Sequence, residues 1–256
     1  MTTHDQRVLE RQPTTAPARH SGVGRGDVVA AVAFLVAAVY VLQGQWRNLG
    51  GGYLYNSGQD QTMWEWFFSV AAHSVASLSN PLASDLQNYP LGVNLMANTA
   101  MFGISIPLAP ITLLFGPTVT WAIALTIGLA GTSFAWFWLF SRQLNSSKGA
   151  AAMGGALCGF APGAISHANG HPNFVVLFLL PVIAMLVTRI ARGGGTTKNT
   201  VGLGLIVALQ ILLGEEPLLI FAMSFGIFAV VYYLSRPRSL WPAVRNADSQ
   251  CRPVSR

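Results

Sequence analysis

Between residues 28 and 235 the chain is a succession of apolar runs, and most of them are about as long as a bilayer core is thick. They cover residues 28–42, 95–115, 118–140, 149–166, 174–190, 200–214 and 217–235, and Arg189 is the one charged residue inside them. Composition agrees. The chain is 52% hydrophobic and 9% charged, against about 25% charge in an ordinary soluble domain. So few charges cannot solvate a globule of 256 residues. The expected fold is all-α, a polytopic membrane helix bundle. The net charge of +6 does not point to nucleic acid. The basic residues sit in short loops beside apolar runs, where they set orientation, and no basic stripe with interleaved aromatics occurs. Cys158 falls in an apolar run and Cys251 in the basic tail. Different membrane levels are expected for the two, so no disulfide, and nothing in the spacing resembles a zinc site. No internal repeat is present.

Residues 1–26 are polar, aperiodic and rich in Arg, Thr, Pro and Gly, which predicts a disordered cytosolic tail. The run at 28–42 competes between signal peptide and uncleaved helix. The long basic region before it and the lack of a small-residue cleavage site favour the helix, with Trp46 at the interface. Residues 53–95, reading YLYNSGQDQTMWEWFFSVAAHSVASLSNPLASDLQNYPLGVNL, are polar, aromatic and acidic, with Asp60, Glu65, Asp85 and the turn NYPLG. Within them, 60–78 reads as an amphipathic helix. Trp64, Phe67, Phe68, Ala71, Val75 and Leu78 share one face, and Thr62, Glu65, Ser69 and His73 the other. Such a helix lies in the interface, and Asn80-Pro81 stops it.

Basic residues fix the expected topology. Arg142 with Lys148, Arg189 with Arg192 and Lys198, and Arg236 with Arg238 mark three loops that alternate with uncharged or acidic ones. They should share the cytosolic side with the basic N-terminus. That holds only if 95–115, which contains Gly103, Pro107 and Pro110, does not cross. A re-entrant or interfacial pair of short helices is therefore expected there. The result is about six spans with both termini cytoplasmic in the plasma membrane. A transmembrane module fills 27–235 with an outer loop at 47–117, and a basic cytosolic tail fills 236–256. Every basic residue but Arg47 then lies inside.

Three outward segments carry candidate chemistry: the loop holding Asp60, the segment AISHANGHPNF, and the turn LLGEEPLL. Glu215 and Glu216 are functional candidates because acids beside spans are costly; the plainer reading is a solvated turn before a helix starting at Pro217. For Asp60 the plainer reading is a helix N-cap, for Glu65 a solvated face, and for His171 a loop residue before Pro172.

Those residues resemble the GT-C superfamily of integral membrane glycosyltransferases. The resemblance covers about 27–235: one span, a long outer loop with an early acid, YPLG and an apolar juxtamembrane stretch, then WLFSRQLNSSKGAAAMGGALCGFAPGAISHANGHPNF as the helix, basic loop and helix leading to the second outer loop. It implies sugar transfer from a polyprenyl-phosphate-linked donor on the outer face. Asp60 occupies the position of the general base or metal partner. Glu65, His171, Asn173, Glu215 and Glu216 are implied substrate contacts. Oligosaccharyltransferase-type members carry an acidic pair in the second outer loop; here NGHPN stands there, so His171 is expected to meet a phosphate. No metal ligands are assigned and no cofactor is certain, with a divalent cation left open. Family members usually have further spans, so a truncated product, or a partner chain supplying them, is expected. The expected partners are the lipid bilayer and the donor. The rival classes are a transporter, which would need inverted repeats, and a non-catalytic scaffold. Asp60 in an outward cavity favours the enzyme; Asp60 capping a surface helix favours the scaffold.

Overall fold

The computed structural model describes residues 22–50, 52–54, 57–97, 100–194 and 197–236. Most of both expected tails therefore lies outside the described residues. The elements are helices α1 (Arg25–Val41), α2 (Gln43–Arg47) and α3 (Gly58–Ala76), then a two-residue antiparallel pair, β1 (Ala83–Ser84) with β2 (Val93–Asn94). Helices α4 (Phe102–Ser105), α5 (Ala109–Phe115), α6 (Pro117–Gln143), α7 (Lys148–Phe160) and α8 (Pro162–His167) follow. The chain ends in α9 (Leu179–Arg189), α10 (Thr197–Ile211) and α11 (Glu215–Ser235). The protein is all-α apart from that small hairpin.

Four helical stretches are long and apolar enough to cross a membrane: Pro117–Gln143, Lys148–His167, Pro172–Gly193 and Glu215–Ser235. Helices α1 and α10, at 17 and 15 residues, are about 25 and 22 Å long, short of the roughly 30 Å of a bilayer core. The stretch 95–115 breaks into a 3₁₀ turn and the short helices α4 and α5, of 4 and 7 residues. Neither can span. Met101 enters α4 with φ 47°, a left-handed conformation that turns the chain, and Pro110 begins a new helical segment where its missing N–H costs nothing.

Helix α6 is the central post. Trp121, Leu125 and Leu129 lie on one stripe of it and are fully buried, meeting Trp64, Phe67 and Phe68 of α3 and Met101, Val175, Val176 and Leu213. On another face α7 runs antiparallel to α6 at close range. A Cβ on Gly155 would lie 2.5 Å from Ser133 O, and one on Gly159 would lie 2.9 Å from Leu129 O and from Ser133 N. Small residues four apart let two membrane helices approach this closely. Helix α7 stops at Pro162, which opens α8.

The run at 174–190 does not form one regular helix from its start. Residues 175–178 are irregular, and α9 begins at Leu179. Thr132 of α6 resolves the exposed backbone: its hydroxyl donates to Val175 O at 2.9 Å and accepts from Leu177 N at 3.0 Å. Broken backbone at this depth is tolerated where protein satisfies it. Thr132 lies about 16 Å along α6 from Gln143. The segment around residues 172–178 therefore descends into the bundle rather than riding over its end.

Helix α3 departs from the expected surface helix. It starts at Gly58, two residues before Asp60. Its packing against α4, α5 and α6 buries Gln61, Val70, Ala72 and Ser74 as well as the aromatic stripe. Val75 and Leu78, expected on the apolar face, are exposed, Leu78 at 94%. They lie at and beyond the helix end, where the chain leaves α6.

Charged ends cluster. Asp27, 1% exposed, accepts from Arg142 at 2.8 Å and pairs with Lys148 as well. Once the Gln143 amide is oriented with its oxygen toward Arg189, it accepts from Arg189 Nε at 2.7 Å. The start of α1, the α6–α7 loop and the end of α9 thus share one end of the bundle. The Asp27 carboxyl precedes the apolar run at 28–42. Burial pushes its pKa up, but the Lys148 hydrogen bond, the Gly24 N–H and the two cations outweigh that and hold it below the ordinary value.

Candidate functional site

At the opposite end of the bundle the three segments expected to face outward meet around residues 168–174. Asp60 is the third residue of α3, half-buried, and makes no hydrogen bond or ion pair to any described residue. It is not the N-cap: Ser57 holds that position, and its side chain caps nothing. The Asp60 carboxylate lies against Gly170. A Cβ there would sit 2.7 Å from Asp60 Oδ2 and 2.9 Å from Asp60 Cβ. One turn further on, Trp64 Nε1 donates to Gly170 O at 2.8 Å. This buried bond locks the head of α3 to the second loop across 106 residues of sequence.

The loop itself is held by Ala168 and Gly170, which close turns onto α8, and by His171 N, which donates to His167 O at 2.7 Å. The His167 ring stacks on Phe174 with centroids 4.7 Å apart, and His171 meets His167 edge to face at 5.6 Å. His171 is exposed and His167 half-exposed. Asn173 is buried, with Oδ1 lacking a hydrogen-bond partner. Its Cβ lies 3.3 Å from the position a Cβ on Gly214 would take. Gln210 is fully buried beside the same glycine and donates to Gly214 O at 3.3 Å. One loop thus touches Asp60 at Gly170 and the α10–α11 turn at Asn173.

Glu215 and Glu216 are exposed and form the first two residues of α11. The helix therefore starts before Pro217, and both acids lie at the positive end of its dipole. Glu65 is half-buried and accepts from Gln61 Nε2 at 2.8 Å. Gln61, fully buried, also donates to Gly52 O at 3.1 Å and accepts from Leu54 N at 3.1 Å. Glu65 thus braces the clasp that holds the entry to α3.

Gln61, Trp64 and His167 organise this region, yet none stood out as a site residue in the sequence. Trp64 fell on the apolar stripe, where its indole reads as core. A buried indole N–H needs an acceptor, and that requirement was the available signal. Among the described residues no three of His, Cys, Asp and Glu come together as a metal cluster. The donor set of Asp60 and two ring-paired histidines does not make a protein-only metal site. Asp60 lines neither the groove formed by residues 73–94 nor the apolar groove beside α6 and α9. No family model, curated protein or solved structure matches the chain.

Proposed function

We propose that the protein is a membrane glycosyltransferase of the GT-C type, or a portion of one, which transfers a sugar from a polyprenyl-phosphate-linked donor on the extracytoplasmic face. The observation that carries the reading is Asp60. A carboxylate with no partner among the described residues is pressed against a loop that descends between helices, at the end of the bundle away from the basic residues. In this reading α1, α6, α7 with α8, α9, α10 and α11 are six spans, α4 and α5 stay on the outer side, and both termini are cytoplasmic. The clustering of Asp27, Arg142, Lys148 and Arg189 at one end supports that arrangement, because positive loops stay inside.

Asp60 takes the proton of the acceptor hydroxyl as its oxygen attacks the anomeric carbon. The bond from that carbon to the donor phosphate oxygen breaks, and polyprenyl phosphate leaves with the electron pair. General-base assistance of this kind is worth about 10²–10⁴ in rate. His167 and His171 face the leaving phosphate, Asn173 and Glu215 or Glu216 orient the acceptor, and the donor tail lies in lipid between helices. Asp60 is not the N-cap of α3, which supports a role for it other than capping.

The test is transfer in proteoliposomes with radiolabelled polyprenyl-phosphate hexose and an alkyl-glycoside acceptor, comparing wild type with Asp60→Asn. The expected result is transfer reduced at least 10²-fold with insertion and thermal stability retained. Equal transfer by a clean Asp60→Asn preparation removes Asp60 as base. Absence of transfer by the wild-type chain across hexose donors returns the protein to the scaffold class.

A further inference from the structure

We infer that the hairpin between α3 and α4 carries a second binding site, for a neutral, hydroxyl-rich oligosaccharide. A groove of about 670 Å³ lies there. It is separate from the Asp60 region: from Asp60 to Ser74 the axis of α3 runs about 21 Å. The volume falls in the range that encloses a drug-sized ligand, about two to three sugar rings. The inference does not depend on the transferase reading.

The groove wall is built in advance of any ligand. Asn80 Oδ1 accepts from Leu82 N at 3.0 Å, Ser84 Oγ from Leu86 N at 3.2 Å, and Asn94 Oδ1 from Met96 N at 2.9 Å. Each side chain therefore spends an oxygen lone pair fixing its own turn. The β1–β2 pairing and the bond from Leu95 N to Leu82 O at 2.9 Å tie these turns together. The groups left over are the amide N–H₂ of Asn80 and Asn94, the Ser84 hydroxyl hydrogen, the His73 imidazole and the Asp85 carboxylate. None of these leftover groups hydrogen-bonds to another described residue. They are planar amides, a carboxylate and hydroxyls around one cavity, which suits vicinal hydroxyls that both donate and accept. A wall fixed before binding loses little entropy on binding. Exposed Leu86 and Leu91 supply the apolar side against which the C–H face of a sugar ring packs.

Charge sets the class of ligand. No Lys or Arg occurs between Arg47 and Arg142, whereas Asp60, Glu65 and Asp85 all do. A phosphate, sulfate or uronate would meet the Asp85 carboxylate with no Lys or Arg in the groove wall to receive it. An extended peptide would need a free strand edge to pair with, and β1 and β2 are two residues each.

The experiment is saturation-transfer NMR on the full chain in nanodiscs. Maltohexaose and mannohexaose are the neutral probes, with hexagalacturonate and a Ser/Thr decapeptide as the alternatives. At least one neutral hexasaccharide should receive saturation. Asp85→Asn, which keeps shape but loses the acceptor pair, should weaken that binding at least tenfold. Ser84→Trp, which fills the groove, should abolish it. Asp60→Asn should leave it unchanged, so loss of transfer and loss of this binding are read separately. The inference is overturned by no binding of either neutral probe, by hexagalacturonate or the peptide binding as well as the sugars, or by binding that survives both groove variants.

Discussion

Replacing Gly159 by alanine puts the closest helix contact of the bundle under direct test. The added methyl would meet Ser133 Oγ and lie 2.9 Å from Leu129 O and Ser133 N. Two of these neighbours are backbone of α6. The third, Ser133 Oγ, is held by its own donation to Leu129 O at 2.8 Å. No rotamer change relieves the contact, so α7 must back away from α6 by about 0.5–1 Å, a gap that forfeits a quarter to a half of each lost van der Waals well. Overpacking of this kind costs about 1–3 kcal/mol, and the gain in helix propensity from Gly to Ala returns up to about 1 kcal/mol. A net loss of about 1–2 kcal/mol is expected. Gly204 of α10 supplies the internal control, because a Cβ there meets nothing within 4 Å. Gly204→Ala should therefore be neutral or stabilise by up to about 1 kcal/mol. Unfolding in detergent followed by circular dichroism, with both variants and wild type side by side, reads the difference. If Gly159→Ala is as stable as Gly204→Ala, the α6–α7 packing described above is wrong.

Asp27→Asn leaves Arg142 and Lys148 without their shared carboxylate and should cost about 2 kcal/mol, less than a fully buried pair would lose, because Lys148 is 48% exposed; chemical unfolding in detergent measures it. The Asp27 carboxyl is held below its ordinary value, so its contribution is present above the unfolded value of about 3.9 and lost as pH falls through the lower folded value. The stability gap between wild type and Asp27→Asn should accordingly close at acid pH, and a gap that widens there contradicts the sign. Gly170→Ala should push Asp60 and the Trp64–Gly170 bond apart, lowering transfer more than stability, with Trp64 fluorescence reporting the displaced indole. For topology, a cysteine at exposed Gln59 should react with an impermeant maleimide in intact cells and one at exposed Asn145 should not; labelling of Asn145→Cys from outside would sink the six-span arrangement.

The sequence by itself determined that this is a helical membrane protein, because long apolar runs in a chain with so little charge admit no other way of satisfying backbone and surface together. It also marked 95–115 as a run expected to break rather than form one long helix. Its prolines and the parity of the basic loops argued for broken helices, and α4 and α5 are broken helices. Periodicity found the aromatic stripe of α3 but carried it too far at the C-terminal end, since Val75 and Leu78 are exposed where the helix closes at Ala76. Tertiary structure alone decided that Asp60 is not the N-cap of α3 and has no hydrogen-bond or ion-pair partner among the described residues. The start of α3 follows from the clasp in which the Gln61 side chain holds Gly52 O and Leu54 N. It alone brought Gly170 to Asp60 and Asn173 to Gly214, contacts between residues far apart in sequence that no local pattern encodes. It also joined Asp27 to Arg142 and Lys148. Charge counting had put those loops on one side of a membrane, but the pairing of individual groups follows from how closely α1, α6 and α7 pack.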